Sequence, residues 1–153
     1  MHETRKEPGV ERTYRTDAIE VTWEPERCVH VATCFRTLGE VFKPKERPWV
    51  RLEGADADRV AEVVRMCPSG ALRYRRLDGA PEEELPDPPE VEADEDGPLY
   101  IRGRVRILDE HGEVVRDEVG RHALCRCGHS GNLPFCDGTH WQVGYPPTEP
   151  PPA

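Results

Sequence analysis

Six cysteines fall three and three on either side of an acidic, proline-rich stretch, and that division limits what the chain can fold into. Residues 78–97, DGAPEEELPDPPEVEADEDG, hold ten acidic side chains, four prolines and no basic residue. Like charges repel and proline favours extension. The stretch therefore reads as an open linker of at most about 60 Å in polyproline form, with no chemistry of its own; a solvated surface loop is nearly the same reading. On that basis the 153 residues divide into a unit over 1–77 and a second over 98–145, with PPTEPPPA making a disordered tail over 146–153. Units this small rarely bury enough apolar surface to fold firmly without a staple.

The cysteines are the available staple: Cys28, Cys34 and Cys67 in the first unit, Cys125, Cys127 and Cys136 in the second. The N-terminus MHETRKEPGVERTYR lacks the apolar core of a secretory signal, so a reducing, cytoplasmic setting is expected and disulfides are not. Two odd sets of three would also pair badly within separate units, whereas metal ligation suits them. Net charge is −9, and the acidic stretch accounts for the excess, since the remainder carries 20 acidic against 21 basic residues. That balance argues against general nucleic-acid binding. No apolar run approaches bilayer-spanning length, so no membrane partner is expected.

Residues 125–140 read CRCGHSGNLPFCDGTH. Cys125 and Cys127, two apart in an extended turn, can aim both thiolates to one side. Cys136 and His140 are four apart, the spacing that stacks side chains on one helical face, and Pro134 suits the entry to such a helix. Gly138 lets backbone come close to an inorganic sulfide. Gly128 and Gly131, with Ser130 and Asn132, give a tight loop whose N–H groups can donate to an anionic cluster. Asp137 stands where it can orient hydrogen bonds beside the ligands or simply start the helix. His122 and His129 read as solvent-facing or supporting groups rather than ligands.

The string C-x-C-x2-S-x3-P-x-C-D-G-T-H resembles the CDGSH, mitoNEET-type, iron–sulfur family at every defined position, and with the segment before it the resemblance covers residues 98–141. It implies a [2Fe–2S] cluster with Cys125 and Cys127 on the inner iron and Cys136 and His140 on the outer, more exposed one. Structural zinc, which also accepts a Cys3His set, is the rival, although zinc sites usually space the first pair by two to four residues. A role without metal is the third reading. Before the motif, LYIRGRVRIL alternates: Leu99, Ile101, Val105 and Ile107 share one parity with Gly103, and Arg102, Arg104 and Arg106 the other. That pattern predicts a half-buried strand with a solvated arginine face, followed by a turn at DEHGE and strands over VVRDEV and RHALC.

In the first unit, Ile19, Val21 and Trp23 alternate as a strand. Val60, Val63, Val64 and Cys67 lie on one face of a helix opened by Asp56 or Asp58 and stopped by Pro68, and a closing strand starts at Ala71, Leu72 and Tyr74. The segments ERCVHVATCFRTLGEVF, RPWV and VVRMCPSGAL resemble divergent single-cluster ferredoxins over roughly residues 12–77. That resemblance implies Cys28, Cys34 and Cys67 as ligands, with Val31 where another cysteine would stand. Three thiolates match a [3Fe–4S] centre. A [4Fe–4S] centre would need a further donor such as His30, water or a small molecule, and a zinc Cys3His site is a further reading.

The fold class expected is α+β: a ferredoxin-like first domain and a small, mainly β second domain that carries the cluster loop. No nucleophile set, phosphate loop or paired carboxylates is evident, so the expectation is a one-electron carrier without enzyme activity. Cluster transfer or redox and pH sensing is the alternative. The partner would be an unidentified redox protein, as donor or acceptor. The CDGSH resemblance allows a strand-exchanged homodimer, while a fused first domain covering the same surface would leave a monomer.

Overall fold

The structure is a computed structural model and describes residues 11–29 and 32–144. Val31 and His30, to which the vacancy and the possible fourth donor were assigned, and the tail over 146–153 lie outside the described residues. The chain forms two units, one containing residues 11–26 and 32–84, the other residues 27–29 and 85–144. Both are mixtures of a small antiparallel sheet with short helices. Among the described residues no helix is long and apolar enough to cross a membrane.

In the first unit β1 (Arg12–Arg15), β2 (Ile19–Trp23) and β3 (Leu72–Arg76) pair antiparallel with β2 in the middle. The hydroxyl of Thr16 accepts from the backbone N–H groups of Ala18 and Ile19, which shapes the β1–β2 turn. Ile19 and Val21 face a core shared with Leu38, Val41, Phe42, Val50, Leu52 and Leu72. The short helix α1 (Thr33–Thr37) and the longer α2 (Ala57–Arg65) complete the unit, and α2 buries Val60, Ala61, Val63 and Val64. Asp56 opens α2: its backbone is extended and its carboxylate accepts from Arg59 N at 2.8 Å. Asp58 sits in the first turn and pairs with Arg76 at 3.0 Å instead. The helix stops at Arg65, short of Cys67, because its end tightens: Met66 N and Cys67 N reach back to Val63 O and Val64 O, and Pro68 follows.

In the second unit β4 (Glu90–Ala93), β5 (Leu99–Leu108) and β6 (Val114–Leu124) form the other antiparallel sheet, followed by α3 (Thr139–Val143). VVRDEV and RHALC are one continuous strand. Asp109 turns β5 into β6, its carboxylate accepting from His111 N and Glu113 N. Arg102, Arg104 and Arg106 are exposed, as the alternation predicts, and Arg104 pairs with Asp117.

The acidic stretch differs from the open spacer expected of it. Residues 90–93 are a strand paired with β5, Glu90 opposite Arg102 and Glu92 opposite Tyr100. Pro86 and Pro89 lie so close to Gly103 that a methyl group there would stand 2.8 Å from the Pro86 carbonyl and from Pro89 Cα. Self-repulsion within the segment is only part of its electrostatics. The arginine-rich strand that follows it supplies opposite charge across the pairing, and Gly103 supplies the room.

His122, expected at the surface or beside the ligands, is fully buried on β6. Its Nδ1 lies 2.7 Å from Nη2 of Arg27, which also donates to the Arg121 carbonyl, and Arg27 Nη1 meets Glu118 Oε2 at 3.3 Å. An acceptor Nδ1 implies a neutral ring with its proton on Nε2, which has no hydrogen-bond partner among the described residues. Burial first, then the Arg27 guanidinium, hold the ring's pKa down at about 4, against the pull of Glu118. The unfolded chain, with an ordinary histidine near pH 6.5, takes up a proton that the folded chain refuses, so this ring's contribution is complete above pH 6.5 and falls away from there to pH 4. The loss amounts to about 3 kcal/mol at its fullest. Urea midpoints measured at pH 7 and pH 5 should therefore fall with acidity, and His122→Gln should flatten that dependence. An unchanged slope in the variant would show that His122 titrates normally in the folded protein.

Candidate metal centres

The second unit builds its donor set where β6 ends. Leu124 forms an isolated bridge with Phe135, Cys125 N donates to the Pro134 carbonyl at 2.8 Å, and Cys136 N donates to the Ala123 carbonyl at 2.9 Å. Residues 134–136 thus return antiparallel against the strand end, and the loop between them is clasped shut. Cys125 and Cys136 are held on facing segments by these backbone bonds.

Within the loop, Gly128 N donates to Cys125 Sγ at 3.2 Å and His129 N to Cys127 Sγ at 3.4 Å, with Gly128 in the left-handed region at φ 82°. Beyond it, Gly138 N donates to Cys136 Sγ at 3.4 Å. Ser130 is buried; its hydroxyl donates to the Phe135 carbonyl and accepts from Asn132 N, and its own N–H points at Cys125 Sγ. Asp137 knits the two halves: Oδ2 accepts from Gly131 N at 2.9 Å, and Oδ1 accepts from the N–H and hydroxyl of Thr139. Orienting hydrogen bonds and starting a helix are therefore both its work. Cys136 precedes α3 rather than lying on it, with Gly138 at φ 89° between Cys136 and the helix, so a turn and not one helical face brings Cys136 and His140 together.

The four candidate ligands form two pairs. Cys125 and Cys127 sulfurs are 3.7 Å apart, and Cys136 Sγ lies 3.5 Å from His140 Nδ1. Two sulfurs that share one tetrahedral metal at about 2.3 Å stand about 3.8 Å apart, so both pairs have the span of an edge of a metal site. Among the described residues no three Cys, His, Asp or Glu side chains gather as a single metal ion requires. Two pairs, with a backbone N–H aimed at each of the three sulfurs, are donors of the kind an anionic iron–sulfur centre takes.

The electrostatics agree. Burial raises the Cys125 thiol, but the N–H groups of Ser130 and Gly128 outweigh it and bring the group below its ordinary value. Burial and the neighbouring Cys125 keep Cys127 high against the His129 N–H. Cys136 is pushed up to about 11, by burial first and then by the charges of Cys125, Asp137 and Cys127, with Gly138 N–H opposing. Burial is the first cause of the rise at Cys127 and Cys136, and the negative groups around them add to it. His140 is also buried; burial lowers its pKa, and Asp94 and Asp137 act against that. His129 is exposed, and neither it nor His122 joins the donors.

One contributor was not legible in the motif. Arg126, between the two inner cysteines, donates from Nε to the Gly97 carbonyl at 2.8 Å and from Nη2 to the Asp94 carbonyl. An arginine inside CRC was the only available sign of it, and nothing in the acidic stretch pointed to its partners.

In the first unit Cys34 lies on α1 and Cys67 follows α2, both packed against the core. Cys67 Sγ is 3.6 Å from the hydroxyl of buried Ser69, which accepts from Ala71 N, and Gly70 at φ 76° completes the CPSG turn into β3. Cys28 is half-buried in the segment 27–29. None of the six cysteines is in a disulfide.

Comparison with known proteins gives both segments a relationship. Residues 14–77 match the family model described as a divergent 4Fe-4S mono-cluster, and residues 96–141 the model described as an iron-binding zinc finger of CDGSH type. The N-terminal part is 37% identical over 67 residues to the uncharacterized protein YjdI of Escherichia coli K12, and equally to YjdI of strain O157:H7; each match takes in 44% of this chain and 88% of the relative. With both models matched in order along one chain, this is an iron–sulfur protein in which a domain of the divergent 4Fe-4S mono-cluster family is followed by one of the CDGSH iron-binding family.

Proposed function

We propose that the protein carries single electrons between redox proteins by way of two clusters, a [2Fe–2S] centre in the second unit and a cuboidal centre in a ferredoxin-like first domain. The observation that carries this reading is the paired donor set, two residues to each metal, with an N–H group aimed at each thiolate. Cys125 and Cys127 would hold one iron, Cys136 and His140 the other. Ser130, Asp137 and Gly138 keep the loop in the shape that presents those ligands. Bound there, the cluster supplies one-electron redox chemistry at little structural cost, and one imidazole in place of a thiolate makes it less negative, raising its potential above an all-cysteine centre. The chain's part is to fix the ligands, aim N–H dipoles at the sulfurs and bury the imidazole.

For the ferredoxin-like domain expected over residues 1–77, Cys28, Cys34 and Cys67 are the proposed ligands. Three thiolates support a [3Fe–4S] centre. The description of the matched family speaks for [4Fe–4S], which here needs a donor beyond these cysteines. EPR of protein purified without oxygen separates them: an oxidised [3Fe–4S] centre is paramagnetic and should give a signal before any reductant is added. Silence in the oxidised state, with a second signal appearing on reduction beside that of the reduced [2Fe–2S] centre, would assign the [4Fe–4S] form.

The second reading is a module that hands its [2Fe–2S] cluster to an apo-acceptor or releases it in response to acid, and His140 is what favours it. A ligating imidazole must be unprotonated, and burial holds its pKa below the ordinary 6.5, so protons compete with iron only as the pH falls below about that value. The visible band should bleach faster at pH 5.5 than at pH 7.5, and His140→Cys should bleach more slowly in acid. Equal rates in both proteins across that range would remove His140 from the ligand set. Transfer of iron to an apo-ferredoxin on mixing would favour the second reading over electron carriage.

A further inference from the structure

The turn that links β4 to β5 lies in the acidic stretch and has no part in the ligand set. Asp94 N donates to the Pro98 carbonyl at 3.2 Å, and the Arg126 guanidinium holds the Asp94 and Gly97 carbonyls together. An arginine flanked by two ligands thus fixes the position of a remote turn. A methyl group built on Gly97 would stand 2.5 Å from Asp94 Oδ2 and 3.2 Å from His140 Nε2. The carboxylate and the Nε2 edge of the imidazole therefore both lie beside Gly97, and that edge is opposite the one that faces Cys136.

We propose that Asp94, on the turn clamped by Arg126, is a positioning residue for His140, its carboxylate favouring the ring proton on Nε2 and so the free lone pair on Nδ1 beside Cys136. This rests on the [2Fe–2S] reading above. A neutral imidazole carries one N–H, and a negative charge facing one edge draws the proton there, which leaves the other nitrogen as donor. Carboxylates behind metal-bound histidines act in this way and strengthen the ring as a ligand. His140 is 4% exposed, so the charge acts through a poorly screened space. The other carboxylate near the ring, Asp137, is already engaged with Gly131 and Thr139. Gly97 is required because any side chain there would displace the Asp94 carboxylate.

The test uses the full chain, purified without oxygen, as wild type and as Asp94→Asn, Asp94→Glu and Gly97→Ala. The readouts are the [2Fe–2S] midpoint potential and the histidine nitrogen coupling from pulsed EPR. Asp94→Asn should shift the one-electron equilibrium toward the reduced cluster by about threefold or more, roughly 30 mV at 59 mV per tenfold change, and should alter the nitrogen coupling. Gly97→Ala keeps the charge but displaces it and should move both readouts in the same direction, while Asp94→Glu should lie nearer wild type. Wild-type potential and coupling in both Asp94→Asn and Gly97→Ala, with the cluster present, would overturn the role of Asp94 alone. Absence of any [2Fe–2S] signal from wild type would overturn the cluster reading and this role with it.

Discussion

Everything at the second centre depends on one short backbone pairing, the return of residues 134–136 against the end of β6. Its bonds from Cys125 N to the Pro134 carbonyl and from Cys136 N to the Ala123 carbonyl place two thiols on facing segments before any side chain acts. The rest follows. The ten residues between Cys125 and Cys136 must close a loop whose N–H groups turn inward, Gly128 and Gly138 take the positive φ values this needs, and α3 starts in time to carry His140 back toward Cys136. A site assembled by main-chain bonds keeps its ligands close to their working spans, so little ordering remains to be done when metal arrives.

Much of this was legible in the sequence because ligand chemistry restricts spacing severely. The C-x-C pair, the cysteine and histidine four apart and the glycines between them marked out the candidate donors that the fold brings together in two pairs. The alternation over Leu99–Leu108 and the valines of α2 likewise predicted their elements from burial alone. What failed was reasoning that stayed within a segment. Pattern assigned Cys136 to a helical face, whereas the return pairing claims it first and leaves the helix to start at Thr139. His122 looked like a surface group because nothing near it in sequence foretells Arg27, the partner that lets it be buried.

The acidic stretch gives the same lesson in electrostatics. Ten carboxylates with no cation among them predict self-repulsion, and taken alone the segment would extend. The arginines of β5 follow directly, however, and the β4–β5 register sets Glu90 opposite Arg102, a cation where the segment itself has none. The prolines that suggested a spacer pack over Gly103 instead, and the far end of the stretch forms the turn held by Arg126. Local charge sets only the cost of extension or compaction; the neighbouring strand decides which is realised.

The central claim is that the second unit holds two bridged irons by two unlike ligand pairs. Mössbauer spectra of protein labelled with 57Fe during anaerobic growth test it directly, because the two sites should differ once one iron has a nitrogen donor. The account predicts two distinguishable iron sites of equal area for this cluster, with the added electron localised on one of them after reduction. A colourless protein containing zinc, without acid-labile sulfide and without an iron–sulfide spectrum, would contradict it.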